Sequence, residues 1–372
     1  MTEFAADDIT PPWLVYEWYV VEALVRNRKR LQAQHGVPGI RKVATAIQNR
    51  RAIGAASYLK TPTVFGFSGV FRRLARHLRI LTDDGRLDDA GCDLVLAWEK
   101  DQKLPGFLNA SSGAGACFRE GLRRAVQQGM HKGHTTPQSV EFWKELTDRL
   151  DPGCAGPAEK KMLLKLIGER AGKPEHIRCI IGALKAQKRP LTYPEEAGFL
   201  RALASRAPVD LVERLSAIDT YEAFCRPVTY AFEWIRHLST TLHSAPVGVK
   251  EFAECQATKR VANRIRVAVR RATDHDPLMM WERAFKEDVL PRFRHVKDAK
   301  DVFHSVVEHH KAVQRDKPPE GKRTWIEEGR AGTYFVRPDY SVPNVPSDRA
   351  DYVHEYRLPT FSRFLADLGA LT

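Results

Sequence analysis

Apolar residues recur at helical spacing along most of this chain. From Trp13 to His35 the positions Trp13, Tyr16, Val20, Leu24 and Leu31 predict a first helix. "GVPG" at 36–39 breaks it, and a second helix is expected from about Ile40 to Arg51. "GAASYLKTPTVFGF" is a connecting stretch, after which Ser68 is the expected N-cap of a third helix ending near Arg79. "ILTDDGRL" then reads as strand, turn and strand with Asp84-Gly85 at the tip, and "DDAGCDLVLAWEKDQ" as another helix.

Beyond Lys103 the pattern is almost wholly helical. "LPGFLNASSGAGA" links it to helices expected near 116–130, 136–150, 157–171, 174–187, 194–206, 208–217, 219–242, 247–272, 276–289 and 298–315. "DPGCAGP", "KRPLTYP" and "SAPVG" are the breakers, and no fixed period marks a solenoid. After "DKPPEGKR", the stretch "TWIEEGRAGTYFVRPDY" alternates as a small β-hairpin. "SVPNVPSD" is a Pro-rich loop and "PTFSRFLADLGAL" a closing helix.

Two of these helices carry one-sided charge. Placed on a wheel of about 100° per residue, Val70, Phe71, Leu74, Ala75 and Leu78 share one arc, the side expected to pack. Arg72, Arg73, Arg76, His77 and Arg79 fill the other arc without an acidic residue among them. Solvated helix faces usually mix signs, since opposite charges four residues apart support the helix. The second case is "CQATKRVANRIRVAVRRA", Cys255 to Ala272. Lys259, Arg260, Arg264, Arg266, Arg270 and Arg271 lie on one side with Asn263. Val261, Ala262, Ile265, Ala268, Val269 and Ala272 lie on the other, and only Val267 breaks the division. Guanidinium forks match phosphate oxygens, so this face suits a nucleic-acid backbone. Its Val/Ala/Ile side lacks the Trp, Phe or Leu of a membrane wedge. Pairing with acidic residues elsewhere in the fold is the competing account of this second face, and a solvated or protein-facing role that of the first.

The order of elements between about 36 and 100 resembles a winged helix-turn-helix. Two helices, the basic helix, a short hairpin and the "RLDDAG" helix start carry the likeness. It implies that the helix from Ser68 to Arg79 enters the major groove and that "LTDDGR" forms the wing. Asp83 and Asp84 depart from a phosphate-gripping wing. The combination of this winged-helix-like unit with the C-terminal basic helix also resembles DNA-binding accessory proteins of bacterial phage-defence gene clusters, which implies membership of a protein complex.

Composition sharpens the choice of partner. The 372 residues carry a net charge of +13, which attracts polyanions, with nucleic acid foremost. Base reading would fall to Arg72, Arg73 or Arg76. The chain has no run of some 18 apolar residues and no signal-peptide pattern, so a cytoplasmic protein without membrane contact is expected. Cys92, Cys117, Cys154, Cys179, Cys225 and Cys255 form no CxxC and fit buried thiols in a reducing compartment.

Motifs for catalysis are sparse. "SSGAGACFREG" lacks the GK[ST] of a P-loop, and neither GxGxxG after a strand nor GxSxG occurs. "HSVVEHH", His304 to His310, has metal-ligand residue types at neither zincin spacing. Asp274 and Asp276 around His275 could serve a nuclease, or simply turn the chain into the next helix. The expectation is therefore a mainly α protein in three parts. These are a winged-helix-like unit over 1–104, a helical domain over 105–245 and a basic helical domain with terminal hairpin and helix over 246–372. It would bind nucleic acid, duplex DNA before RNA, with no cofactor and no reaction of its own. A metal-dependent nuclease and an adaptor docking an acidic protein are the alternatives.

Overall fold

The computed structural model describes residues 10–27, 36–241, 246–275, 280–318, 320–348 and 351–371. Among them are sixteen α-helices and a two-stranded antiparallel sheet, the mainly α architecture with a small hairpin that the apolar pattern predicts. The chain divides into two compact units, one of residues 1–178 with 365–370 and 372, the other of residues 179–364 with 371. The boundaries expected near 105 and 245 fall inside these units, because helices on both sides of each position share one core.

In the first unit, α1 (Pro12–Arg26) is the central element. The sequence pattern carries this helix on to His35, but 28–35 lie outside the described residues. It packs against α2 (Ile40–Gln48), and the chain continues through α3 (Pro62–Phe65), α4 (Phe67–His77) and α5 (Asp89–Gln102). α6 (Ala114–Lys132) and α7 (Val140–Leu150) also pack on α1, while α8 (Pro157–Arg170) packs on α5. Leu14, Val15, Trp18, Tyr19, Val21 and Leu24 are buried on all sides of α1, as befits a helix apolar around its circumference. The division of the chain falls within α9 (Pro174–Ala186).

Two carboxylates interrupt α1, and both are buried and partnered. Glu22 pairs with Arg26 one turn on at 2.6 Å. Glu17 accepts the Tyr58 hydroxyl at 2.6 Å and the Phe67 backbone N–H at 3.0 Å. The second bond corrects the expected start of α4. Ser68 lies inside the helix, Gly66 is the N-cap position, and the orphan amide is satisfied by Glu17 from a distant helix. A Cβ at residue 66 would collide with the Glu17 carboxylate and the Pro62 carbonyl, so glycine is required there. After α4 the expected strands shrink to one bridge, Leu81 to Leu87, closed by Thr82 N–H on the Arg86 carbonyl at 2.9 Å. Gly85 supplies the positive φ of that turn, +86°.

The second unit is built on α11 (Val209–Thr241), preceded by α10 (Glu196–Ala204). α11 is one helix where the pattern suggested two, and it carries Pro227 within it. Conversely, the single helix expected over 247–272 is broken. α12 (Val249–Glu254) is followed by a tight turn at Gln256–Thr258 and then α13 (Val261–Asp274). The buried Thr258 hydroxyl closes the break by bonding the Phe252 carbonyl at 2.5 Å and the Cys255 carbonyl at 2.9 Å. α14 (Met280–Ala284) and α15 (Ala299–Arg315) follow, then β1 (Ile326–Glu328) paired with β2 (Tyr334–Val336), Ile326 opposite Val336. α16 (Leu358–Asp367) closes the chain. α13, α15 and β2 all pack on α11, burying Phe224, Ile235, Phe252, Ile265, Phe293 and Phe303.

Candidate nucleic-acid interface

The side of α13 that faces the core is the one its periodicity marks. Val261, Ala262, Ile265, Ala268, Val269 and Ala272 are all buried, while Val267 is 62% exposed among the polar positions. Burial of this apolar stripe fixes the rotation of the helix and thereby aims its cations at solvent. Lys259 and Arg260 sit in the turn that leads into α13, with Arg260 at the N-cap position and no acidic residue in the first turn. Cations there add to the positive end of the helix dipole instead of offsetting it.

The six basic residues of this face do not share one fate. Arg264 makes a bidentate pair with Asp348, at 2.9 and 2.7 Å, its guanidinium 5.8 Å from the centre of the Tyr230 ring. Arg271 pairs with Asp219 at 3.0 Å, and Arg201 holds the same carboxylate at 3.1 Å. Burial pulls the Asp219 pKa upward, but the hydrogen bonds from Arg201 and Arg271 outweigh it and hold the carboxyl below its usual range. Arg266 reaches only the neutral Asn263, at 3.1 Å. Lys259, Arg260 and Arg270 are exposed and have no hydrogen bond or ion pair among the described residues. Four cations thus stay without a counter-charge: Lys259, Arg260, Arg266 and Arg270.

α4 is placed differently from its expected packing. Of its apolar arc only Leu78, just past the helix end, is buried at 2% exposure. Val70, Phe71 and Leu74 are about half exposed, at 51, 49 and 49%, beside exposed Val64 and Phe65 of α3. The reason is that the helix meets the core only at its ends, through Phe67 at its start and Leu78 just past its last turn, and its middle is left uncovered. On the basic side, Arg76 donates to the Asp83 carbonyl and Arg79 pairs with Asp88 at 3.2 Å, so two cations bind the helix to its own hairpin. Arg72, Arg73 and His77 are exposed and unpaired among the described residues. Asp84, the acidic tip, is turned to Thr82 and to Arg86 at 2.9 Å.

The histidine and aspartate groups considered for metal chemistry are in part held by other partners and in part exposed. His310 is buried, stacks 4.8 Å from Phe232 and accepts the Trp325 backbone N–H at 3.0 Å. Burial and the nearby Lys317, His309 and Arg236 push its pKa down to about 4; burial and Arg292 do the same to His309. His304 and Glu308 point to solvent, and Glu308 pairs with Lys311 at 2.8 Å. His275 contacts Glu282 at 3.1 Å, Asp274 is exposed, and Asp276 lies outside the described residues.

Sequence periodicity missed the residues that decide which arginines are free. Asp219, Arg201 and Asp348 are remote in the chain from α13, and no spacing rule joins them to it. It also missed a cation–aromatic cluster. Trp325 and Tyr340 stack at 4.6 Å and 5°, with Arg236 5.2 Å from the Trp325 ring and Arg337 5.5 Å from Tyr340. The one available signal was local, the density of Lys and Arg around Trp325.

All six cysteines are free thiols, but only Cys225 is buried where burial was expected of all six, and among the described residues no helix is long and apolar enough to cross a membrane. No family model, curated protein or solved structure matches the chain.

Proposed function

We propose that this protein binds the phosphate backbone of nucleic acid, duplex DNA in the first instance, through the exposed face of α13. The observation that carries this reading is that Lys259, Arg260, Arg266 and Arg270 share one exposed side with no carboxylate neutralising them. A self-repelling array of this kind is compensated by a polyanion, and phosphate contacts fix position without reading sequence. Arg72, Arg73 and His77 on α4 provide a second contact by its resemblance to a winged-helix recognition helix, with any base reading assigned to Arg72 and Arg73.

The test is a salt titration of binding to a labelled duplex. Four neutralised phosphates give a log–log slope of about −3.6. Arg266→Glu with Arg270→Glu is expected to weaken binding to all sequences alike and to flatten that slope. Unchanged affinity would remove α13 from the interface.

A second reading is favoured by the α3–α4 surface. The half-exposed Val64, Phe65, Val70, Phe71 and Leu74 next to Arg72 and Arg73 suit an apolar, acidic protein surface better than phosphate. In this reading α4 is the docking element of an adaptor, and α13 keeps the nucleic acid.

A further inference from the structure

Between Tyr340 and Asp348 the chain has no regular secondary structure beyond its first residue and lies against the second unit's helices. The Tyr340 carbonyl accepts Arg236 Nε at 2.7 Å, and the Val342 carbonyl meets His237 Nδ1 at 2.8 Å. Val342 N–H donates to the Thr240 hydroxyl at 3.0 Å. These bonds pin the segment to the C-terminal end of α11. Pro343 and Pro346 remove two amide donors, and of 341–348 only Pro346 is buried, with Val345 69% exposed. At its far end Asp348 closes on Arg264, both oxygens against both terminal guanidinium nitrogens.

We infer that Arg264 is a further phosphate-binding position of the α13 face, and that Asp348 occupies it in the free protein. This rests on the nucleic-acid reading given above. A carboxylate and a phosphate present oxygens to a guanidinium fork in the same bidentate way, so Asp348 stands where a phosphate oxygen pair would. The pair is open to exchange, since the Asp348 side chain is 57% exposed and that of Arg264 34%. Exposed pairs of this kind are weak and are screened by salt. Arg264 does not depend on Asp348 for its position, because the Tyr230 ring lies under it. The segment therefore acts as an internal competitor: in the wild type Asp348 keeps Arg264 out of the phosphate-binding array, and its removal adds one contact to that array.

The experiment compares full-length wild type, Asp348→Ala, Arg264→Ala and the double variant on a labelled 20-base-pair duplex across salt concentrations. Asp351→Ala is the control for net charge, because Asp351 is exposed and without a partner among the described residues. Asp348→Ala is expected to bind about two- to five-fold more tightly. Its salt slope should steepen by about 0.9, one more phosphate neutralised. Asp351→Ala should fall well short of that gain, and Asp348→Ala should give none in the Arg264→Ala background. The inference is overturned if affinity and slope do not change, if Asp351→Ala gains as much, or if the gain survives without Arg264. A wild type that retains no duplex even at low salt overturns the underlying reading and this inference with it, a result distinct from binding that ignores Asp348.

Discussion

Glu17 Oε2 accepts the Phe67 backbone N–H at 3.0 Å, so a carboxylate buried in the first helix caps a helix fifty residues later. Glu17→Ala leaves the start of α4 without its acceptor and the Tyr58 hydroxyl with only the Pro38 carbonyl, at 3.5 Å. A loss of about 1–3 kcal/mol is expected in urea unfolding. Hydrogen exchange should show the first turn of α4 opening before the rest of the unit. Equal protection of α4 in both proteins would contradict the capping role.

Phe71 and Leu78 lie seven residues, about two helical turns, apart on nearly the same side but differ wholly in burial. Leu78→Ala should cost about 2–5 kcal/mol. Phe71→Asp with Leu74→Asp should change stability by no more than about 0.5 kcal/mol per site, as for other surface changes. The aspartates are expected to abolish binding to an acidic apolar partner. Thermal melts of the two variants measure the first contrast directly.

His309 and His310, with folded pKa values near 4, are neutral in the native state and charge more readily when the chain unfolds. The unfolded state thus binds more protons between about pH 6.5 and 4, and stability falls as pH falls through that window. His310→Gln should flatten this part of a melting-temperature profile. His354 works in the opposite direction. The Glu222 carboxylate beside it, 2.7 Å from Nδ1, raises its pKa, so its contribution is present below about pH 6.5 and is lost as pH rises through the raised value.

Glu222 is fully buried in α11 and accepts Val353 N–H at 2.6 Å, His354 Nδ1–H and the Tyr356 hydroxyl at 2.9 Å. Glu222→Ala orphans all of these donors. It should cost about 3 kcal/mol or more. Limited proteolysis should then cut near 352–356 sooner than in wild type. Undiminished resistance there would show that the segment is held by other contacts.

The sequence disclosed helices and faces wherever one element's own periodicity decides them. α13 is the clearest case, because every residue of its apolar arc is buried. Legibility ended where distant residues take over. Nothing local announces that Glu17 sets the start of α4, or that the Thr258 hydroxyl splits an otherwise continuous helical pattern. The same limit governs the candidate interface. Six like charges on a wheel look equivalent, yet Asp219 and Asp348, brought in by tertiary packing, single out Arg271 and Arg264. On α4 the apolar arc was visible, but its exposure was not, since the reach of the core is a property of the whole unit.

The position of α1 at the centre of the first unit has a consequence for synthesis. Its packing partners α6 and α7 leave the ribosome more than a hundred residues later. At about 5–20 residues per second, Trp18, Tyr19 and their neighbours wait roughly five seconds or more for their cover. Nascent chains of this protein therefore present a sticky aromatic helix throughout that interval, and slowing translation should increase their demand for chaperones.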